Sequence, residues 1–176
     1  DAVRGAARRF GDRAAFVDAD GRPTSYVDLD RRSNEVAAGL VVRGLGTDDV
    51  VAMTLPSGVD WVVLAVGCAK AGPATAGVNP RLAPAERAAC VEVAEPTLVV
   101  ESDEEVAELA RDGAGGPAPT TPDDPERLAH VVFTSGTTGR PKGAVFRDRH
   151  LAAVAEIDTG SVWGDPAASP TPMLAA

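Results

Sequence analysis

Four short, valine-rich apolar runs recur along this chain, and helical patterns separate them. The runs are "DVVAMTLP", "PATAGV", "TLVV" and "LAHVVFT". "PATAGV" is a short, weak strand; the other three are continuous apolar runs and read as buried strands, the signature of a parallel sheet. Between them, "GVDWVVLAVGCAKAG" is too long for one strand and is bounded by glycines, so it reads as a buried helix. "APAERAACVEVAE" is a helix with Pro84 near its start, where the missing N–H costs nothing. "SDEEVAELARDG" is a third helix, with Ser102 as cap, acids in its first turn and Gly113 after it. Strand and helix in alternation predict an α/β fold built on a helix-flanked, largely parallel sheet.

Two flanking regions extend this pattern. "AAFVDADGRPTSY" turns on Asp20-Gly21 and predicts a hairpin. Ser25 with Asp28 then opens a helix that runs through Leu29, Val36, Ala37, Leu40 and Val41 to Gly44. At the other end, "GAVF" reads as a strand, "RHLAAVAEI" as a helix and "SPTPMLAA" as the start of a further strand. Residues 113–127, "GAGGPAPTTPDDPE" and the arginine after it, have no apolar period and predict an exposed, mobile connector inside one domain. The chain starts at Asp1 without a methionine and is expected to be part of a longer polypeptide.

Charge and cysteine usage narrow the function. A formal net charge of −9 argues against general binding to nucleic acid or acidic membranes. No apolar run is long enough for a membrane span. Cys68 and Cys90 are far apart, form no C-x-x-C pair and suit a reducing cytoplasm as buried thiols. His130 and His150 lack ligand spacing, so no metal site is expected from these side chains. Trp61 and Cys68 read as helix core, Lys70 as a helix-end charge favoured by the dipole, and His150 as structural. Asp123, Asp124 and Glu126 read as a solvated face.

One segment asks for a ligand. "FTSGTTGRPKG", Phe133 to Gly143, is dense in glycine and hydroxyls and carries Lys142. All but two of the 17 basic residues are Arg, so a Lys here is informative: it is a compact point charge on a thin stem. Glycines let backbone N–H groups approach an anion, and Thr134, Ser135, Thr137 and Thr138 add hydroxyl donors. A unit charge pair near 4 Å contributes roughly 4 kcal/mol at an effective dielectric near 20. The segment is not a Walker loop: the sixth residue from Gly136 is Pro141, and Gly143 follows the lysine. A ligand-free glycine-rich hairpin is the plain alternative; the hydroxyls, the lysine and the flanking buried strands favour polyphosphate binding.

The same eleven residues match in full the form [YF]-T-S-G-[TS]-T-G-x-P-K-G, and so resemble the phosphate-binding signature of the adenylate-forming (AMP-binding) superfamily. That group includes acyl-CoA synthetases, adenylation domains of peptide synthetases and beetle luciferases. "SYVDLDRRSNEVAAGLVVRGLGTDDVVAMTLPSGVDWVVLAVGCAKAG" and "GVNPRLAPAE" are similar to the family's earlier segments, and "NPRL" is closer to acyl- and aryl-CoA ligases. There are departures: "RDRHL" stands where "T-H-x-N-L" is usual, which puts Asp148 at the histidine position, and "ATAGV" replaces "V-x-V-P-L". The resemblance covers essentially all of the chain, residues 1–176, as the N-terminal portion of the family's large domain. It implies that the full-length protein activates a carboxylate with ATP and Mg2+ to an acyl-adenylate, then passes the acyl group to a thiol of CoA or phosphopantetheine. It implies ATP-phosphate binding by Thr134, Ser135, Gly136, Thr137, Thr138, Gly139 and Lys142, with Lys142 stabilising phosphate charge. The family's principal catalytic residues lie in later motifs, so the 176-residue chain alone is expected to be inactive. A non-catalytic remnant or nucleotide-binding module is the alternative.

Overall fold

The computed structural model describes residues 2–134, 140–159 and 173–174; side chains are described as far as residue 154. The first helix, α1 (Ala2–Phe10), has no counterpart among the elements expected from sequence. The hairpin β1 (Ala14–Val17) and β2 (Pro23–Ser25) follows. Its turn closes with Gly21 N–H donating to the Asp18 carbonyl at 2.8 Å, and Gly21 holds φ at +82°, where a side chain would be strained. Helix α2 (Tyr26–Val42) starts where expected: the Ser25 hydroxyl accepts from Asp28 N–H at 3.0 Å. It ends where Gly44 turns to φ +84°.

Next come β3 (Val50–Met53), α3 (Val59–Ala71), β4 (Ala74–Gly77), α4 (Pro84–Ala94), β5 (Leu98–Val100) and α5 (Asp103–Asp112). The capping box at α5 is complete, with Ser102 Oγ accepting from Glu105 N–H and Glu105 Oε2 accepting from Ser102 N–H. The chain then runs through β6 (Leu128–Thr134), β7 (Lys142–Arg147), α6 (Asp148–Thr159) and β8 (Met173–Leu174). Two sheets result. A small one has the order β2-β1-β8; the main one has the order β5-β3-β4-β6-β7. In the main sheet β3, β4, β5 and β6 are parallel, and β7 alone returns antiparallel.

Strand order and handedness explain where the helices lie. The step from β3 to β4 and the step from β5 to β6 run in one direction across the sheet, and the step from β4 to β5 runs in the other. Right-handed crossovers therefore place α3 and α5 on one face and α4 on the opposite face. Helix α2 packs against α3 and α5, whereas α4 packs against β3 and β7. The main core lies on the first face, where Leu40, Met53, Leu64 and Leu109 are completely buried. Each such side chain contributes about 1.5–3 kcal/mol of transfer free energy. The α4 face has a much smaller core of Ala76, Ala94 and Val131, with Val50 and Phe133 against it.

Lys70 is more than a helix-end charge. Its ammonium is buried between α3 and α2 and donates to Asp30 Oδ1 (2.6 Å), Ser33 Oγ (2.8 Å) and Asn34 Oδ1 (2.8 Å). Burial lowers its pKa, and the Asp30 carboxylate opposes that shift. The connector is tied to the same place: Thr121 Oγ1 donates to the Lys70 carbonyl at 2.7 Å. Gly113, at the connector's start, lies so close to α2 that a Cβ would come within 2.1 Å of the Glu35 carbonyl oxygen.

Candidate phosphate site

The candidate site stands on the β6–β7 hairpin. Strand β6 is fixed to the sheet through β4, with Thr75 opposite His130 and Ala76 opposite Val131. Thr134 is the last residue of β6, and Lys142 is the first of β7. The two are cross-strand partners on the final rung. Lys142 therefore belongs to the strand and not to the loop, because pairing with Thr134 extends the ladder one rung beyond "GAVF". Both residues are solvent-exposed. Ser135, Gly136, Thr137, Thr138 and Gly139 lie outside the described residues.

This rung sits at the carboxyl end of the parallel strands, the end at which open α/β sheets bind ligands. Gly143, next to Lys142, sits in a tight place: a Cβ there would lie 3.0 Å from Val131 Cγ1 and 3.5 Å from Val93 Cγ1 of α4. A hydroxyl and an ammonium on one rung can donate to a polyphosphate. The donor set thus fits ATP phosphates. Among the described residues no cluster of three His, Cys, Asp or Glu could hold a metal, so no side chain here is assigned to magnesium.

The far end of the hairpin is tied by charge. Arg127, just before β6, grips Asp148, just after β7, with Nε–Oδ2 at 2.7 Å and Nη2–Oδ1 at 3.0 Å. Arg127 Nη1 also donates to the Gly72 carbonyl at 3.1 Å, which links the pair to the turn before β4. The backbone N–H of Asp148 donates to the Arg127 carbonyl, and that of Arg149 to the Pro125 carbonyl, both at 3.1 Å. His150 accepts from Arg147 N–H through Nδ1 at 3.0 Å and packs edge-on against Phe146, a structural role. The sequence marked Asp148 only as a departure from the usual histidine; its partner was hidden 21 residues upstream.

A separate cleft lies elsewhere. It encloses about 890 Å³ at the amino end of β6, lined by Lys70, Thr121, Arg127, His130, Asp148 and Ala152. These four ionic groups are committed to neighbours: Lys70 to α2, Arg127 and Asp148 to each other, and His130 to the Thr75 hydroxyl. Burial pushes the Cys68 thiol up to about 12, and Cys68 and Cys90 are both free and buried, which leaves them as packing groups.

The chain matches the AMP-binding enzyme family over residues 3–174. It belongs to that family, whose members are adenylate-forming ligases. It is 39% identical over 151 residues to a probable non-canonical nonribosomal peptide synthetase, CymA, of Salinispora arenicola (strain CNS-205), covering 85% of this chain and 2% of that protein. It is 36% identical over 162 residues to an isonitrile lipopeptide synthase of Streptomyces coeruleorubidus, covering 84% of this chain and 11% of that protein. Several further relatives are also peptide synthetases. In fold it resembles VinN in complex with 3-methylaspartate, with a TM-score of 0.79 at 23% identity, over 91% of this chain and 50% of that one. The chain thus spans a small part of the relatives it matches and half of the solved neighbour.

Proposed function

We propose that this chain supplies the phosphate-binding part of a ligase that activates a carboxylic acid with ATP. The observation that carries the reading is the Thr134–Lys142 rung at the carboxyl end of the parallel strands, bracketing a segment of glycines and hydroxyls. A carboxylate oxygen attacks the α-phosphorus of ATP, the bond to the bridging oxygen breaks, and pyrophosphate leaves. Both reactants are anions, so the site must neutralise phosphate charge as it moves onto the leaving group. Lys142 supplies a full positive charge there, and Thr134, Ser135, Thr137 and Thr138 supply donors, with Gly136 and Gly139 giving the backbone room to approach. Magnesium, when bound with ATP, supplies further charge neutralisation. A thiol sulfur then attacks the acyl carbon and AMP leaves.

The acceptor thiol is proposed to be a carrier-protein phosphopantetheine, because peptide synthetases recur among the relatives; CoA, which "NPRL" suggests, is the second acceptor to test. Unpaired thiols suit a cytoplasmic protein. No described helix is long and apolar enough to cross a membrane. The share of the relatives covered supports a role inside a longer polypeptide, with the isolated chain inactive.

Lys142→Ala in the full-length protein tests the site. Loss of one charge-stabilising donor should slow carboxylate-dependent pyrophosphate exchange by about 100-fold. The melting temperature should stay unchanged, since Lys142 is exposed. Exchange at the parent rate would remove Lys142 from phosphate handling.

A further inference from the structure

The β6–β7 hairpin has an unusual problem of register. Register is normally set by one buried face, because a slip of one residue moves every side chain to the other face. Here the burial lies on β6 alone: Ala129 and Val131 are covered, whereas no residue of β7 is. Val132 and Ala144 on one face and Val145 on the other are exposed, and β7 lies at the sheet edge. The pairing is also irregular between Leu128 and His130, so the ladder does not by itself count rungs from the sheet. Yet Lys142 can face Thr134 in one register only. A slip would place Lys142 or Ala144 at the rung opposite Phe133, where a Cβ would crowd Val131 Cγ1 at 3.0 Å. It would also rotate the ammonium to the opposite face.

We propose that the Arg127–Asp148 fork locks the register of this hairpin and so acts as a positioning pair for Lys142. The inference rests on the phosphate-site reading above. The two residues flank the open end of the hairpin, and two parallel hydrogen bonds between planar groups hold one relative placement of the strands where a single contact would tolerate sliding. The bond from Arg127 to the Gly72 carbonyl refers that placement to β4, so the hairpin is positioned against the sheet and not only against itself. Asp148 lies six residues from Lys142 along the chain, roughly 20 Å. The pair touches neither substrate nor phosphate and acts through the ladder. Asp148 is also where this sequence leaves the family pattern, and Arg127 is the residue that holds it.

The test uses the full-length protein and pyrophosphate exchange. Asp148→Asn removes one charge and leaves the Arg127 side chain, only 12% exposed, without its carboxylate. It should lower the exchange rate by about tenfold to a hundredfold, with the carboxylate KM unchanged. Because an unpaired, mostly buried guanidinium also destabilises the fold, Arg127→Leu/Asp148→Leu is the second variant: two apolar groups leave no unpaired charge, so the melting temperature should recover while the exchange rate stays low. In a Lys142→Ala background Asp148→Asn should change the rate by less than about twofold, because both act through one element. A rate that recovers with the melting temperature, or a loss of equal size in the Lys142→Ala background, would overturn the lock. If Lys142→Ala alone leaves exchange intact, the phosphate-site reading fails and the lock falls with it.

Discussion

His130 is placed on β6 with its ring on the Thr75 hydroxyl, close to Arg127 and Asp148. Burial lowers its pKa first and Arg127 adds to that, while Asp148 works against them. The unfolded chain therefore binds the proton more readily than the fold does. Stability from this residue is present above the unfolded value of 6.5 and is lost as pH falls through the lower folded value. Urea titrations near neutrality and about one pH unit below 6.5 should show the parent losing more stability than His130→Gln. An equal loss in both proteins would mean that His130 is no more averse to its proton folded than unfolded. Residue roles of this kind were the least legible in the sequence. His130 has no local signal, Lys70 signalled a helix end but not its three side-chain partners on α2, and Asp148 showed only that it was out of pattern.

At the scale of elements, helices with polar caps were plain in the sequence and close packing was not. Ser25 and Ser102 cap α2 and α5 as their spacing predicts, because capping is a local hydrogen bond. Helix α1 escaped because it is short and rich in arginine, and among its residues only Ala7 is buried. Gly39 is the clearest non-local case. It stands in the middle of α2, where helix propensity alone would favour alanine by about 1 kcal/mol. In the fold a Cβ there would lie 1.9 Å from the Leu109 carbonyl oxygen of α5. That atom is backbone, so the helices must move apart. Gly39→Ala should destabilise by about 3 kcal/mol in chemical denaturation despite its better propensity. Gly46→Ala, with open space around the added carbon, is the control and should stay within about 0.5 kcal/mol. Equal midpoints for the two variants would show that α2 and α5 are not held at this distance.

For the molecule as a whole, alternating strands and helices announced a parallel sheet, but the order β5-β3-β4-β6-β7 depends on contacts that no local pattern encodes. The unequal faces were equally hidden. One face carries a deep core, whereas the α4 face has a core of small residues and leaves Val93 at 46% and Val145 at 50% exposed. On the other face of the same hairpin Val132 is 48% exposed, and among the described residues β7 is paired on one side only. An edge strand with apolar side chains and an unpaired ladder is a template for another strand. The net charge of −9 opposes association, but it acts over about 10 Å at moderate salt and fades as salt rises, while edge pairing and apolar burial persist. The chain expressed as residues 1–176 should therefore self-associate in sedimentation velocity, more at high salt than at low. Val145→Lys should reduce that association by placing charge on the edge without touching the deep core. A cooperatively melting, monodisperse monomer across the concentration series would show that the β7 edge is already protected, and association insensitive to Val145→Lys would place the sticky surface elsewhere.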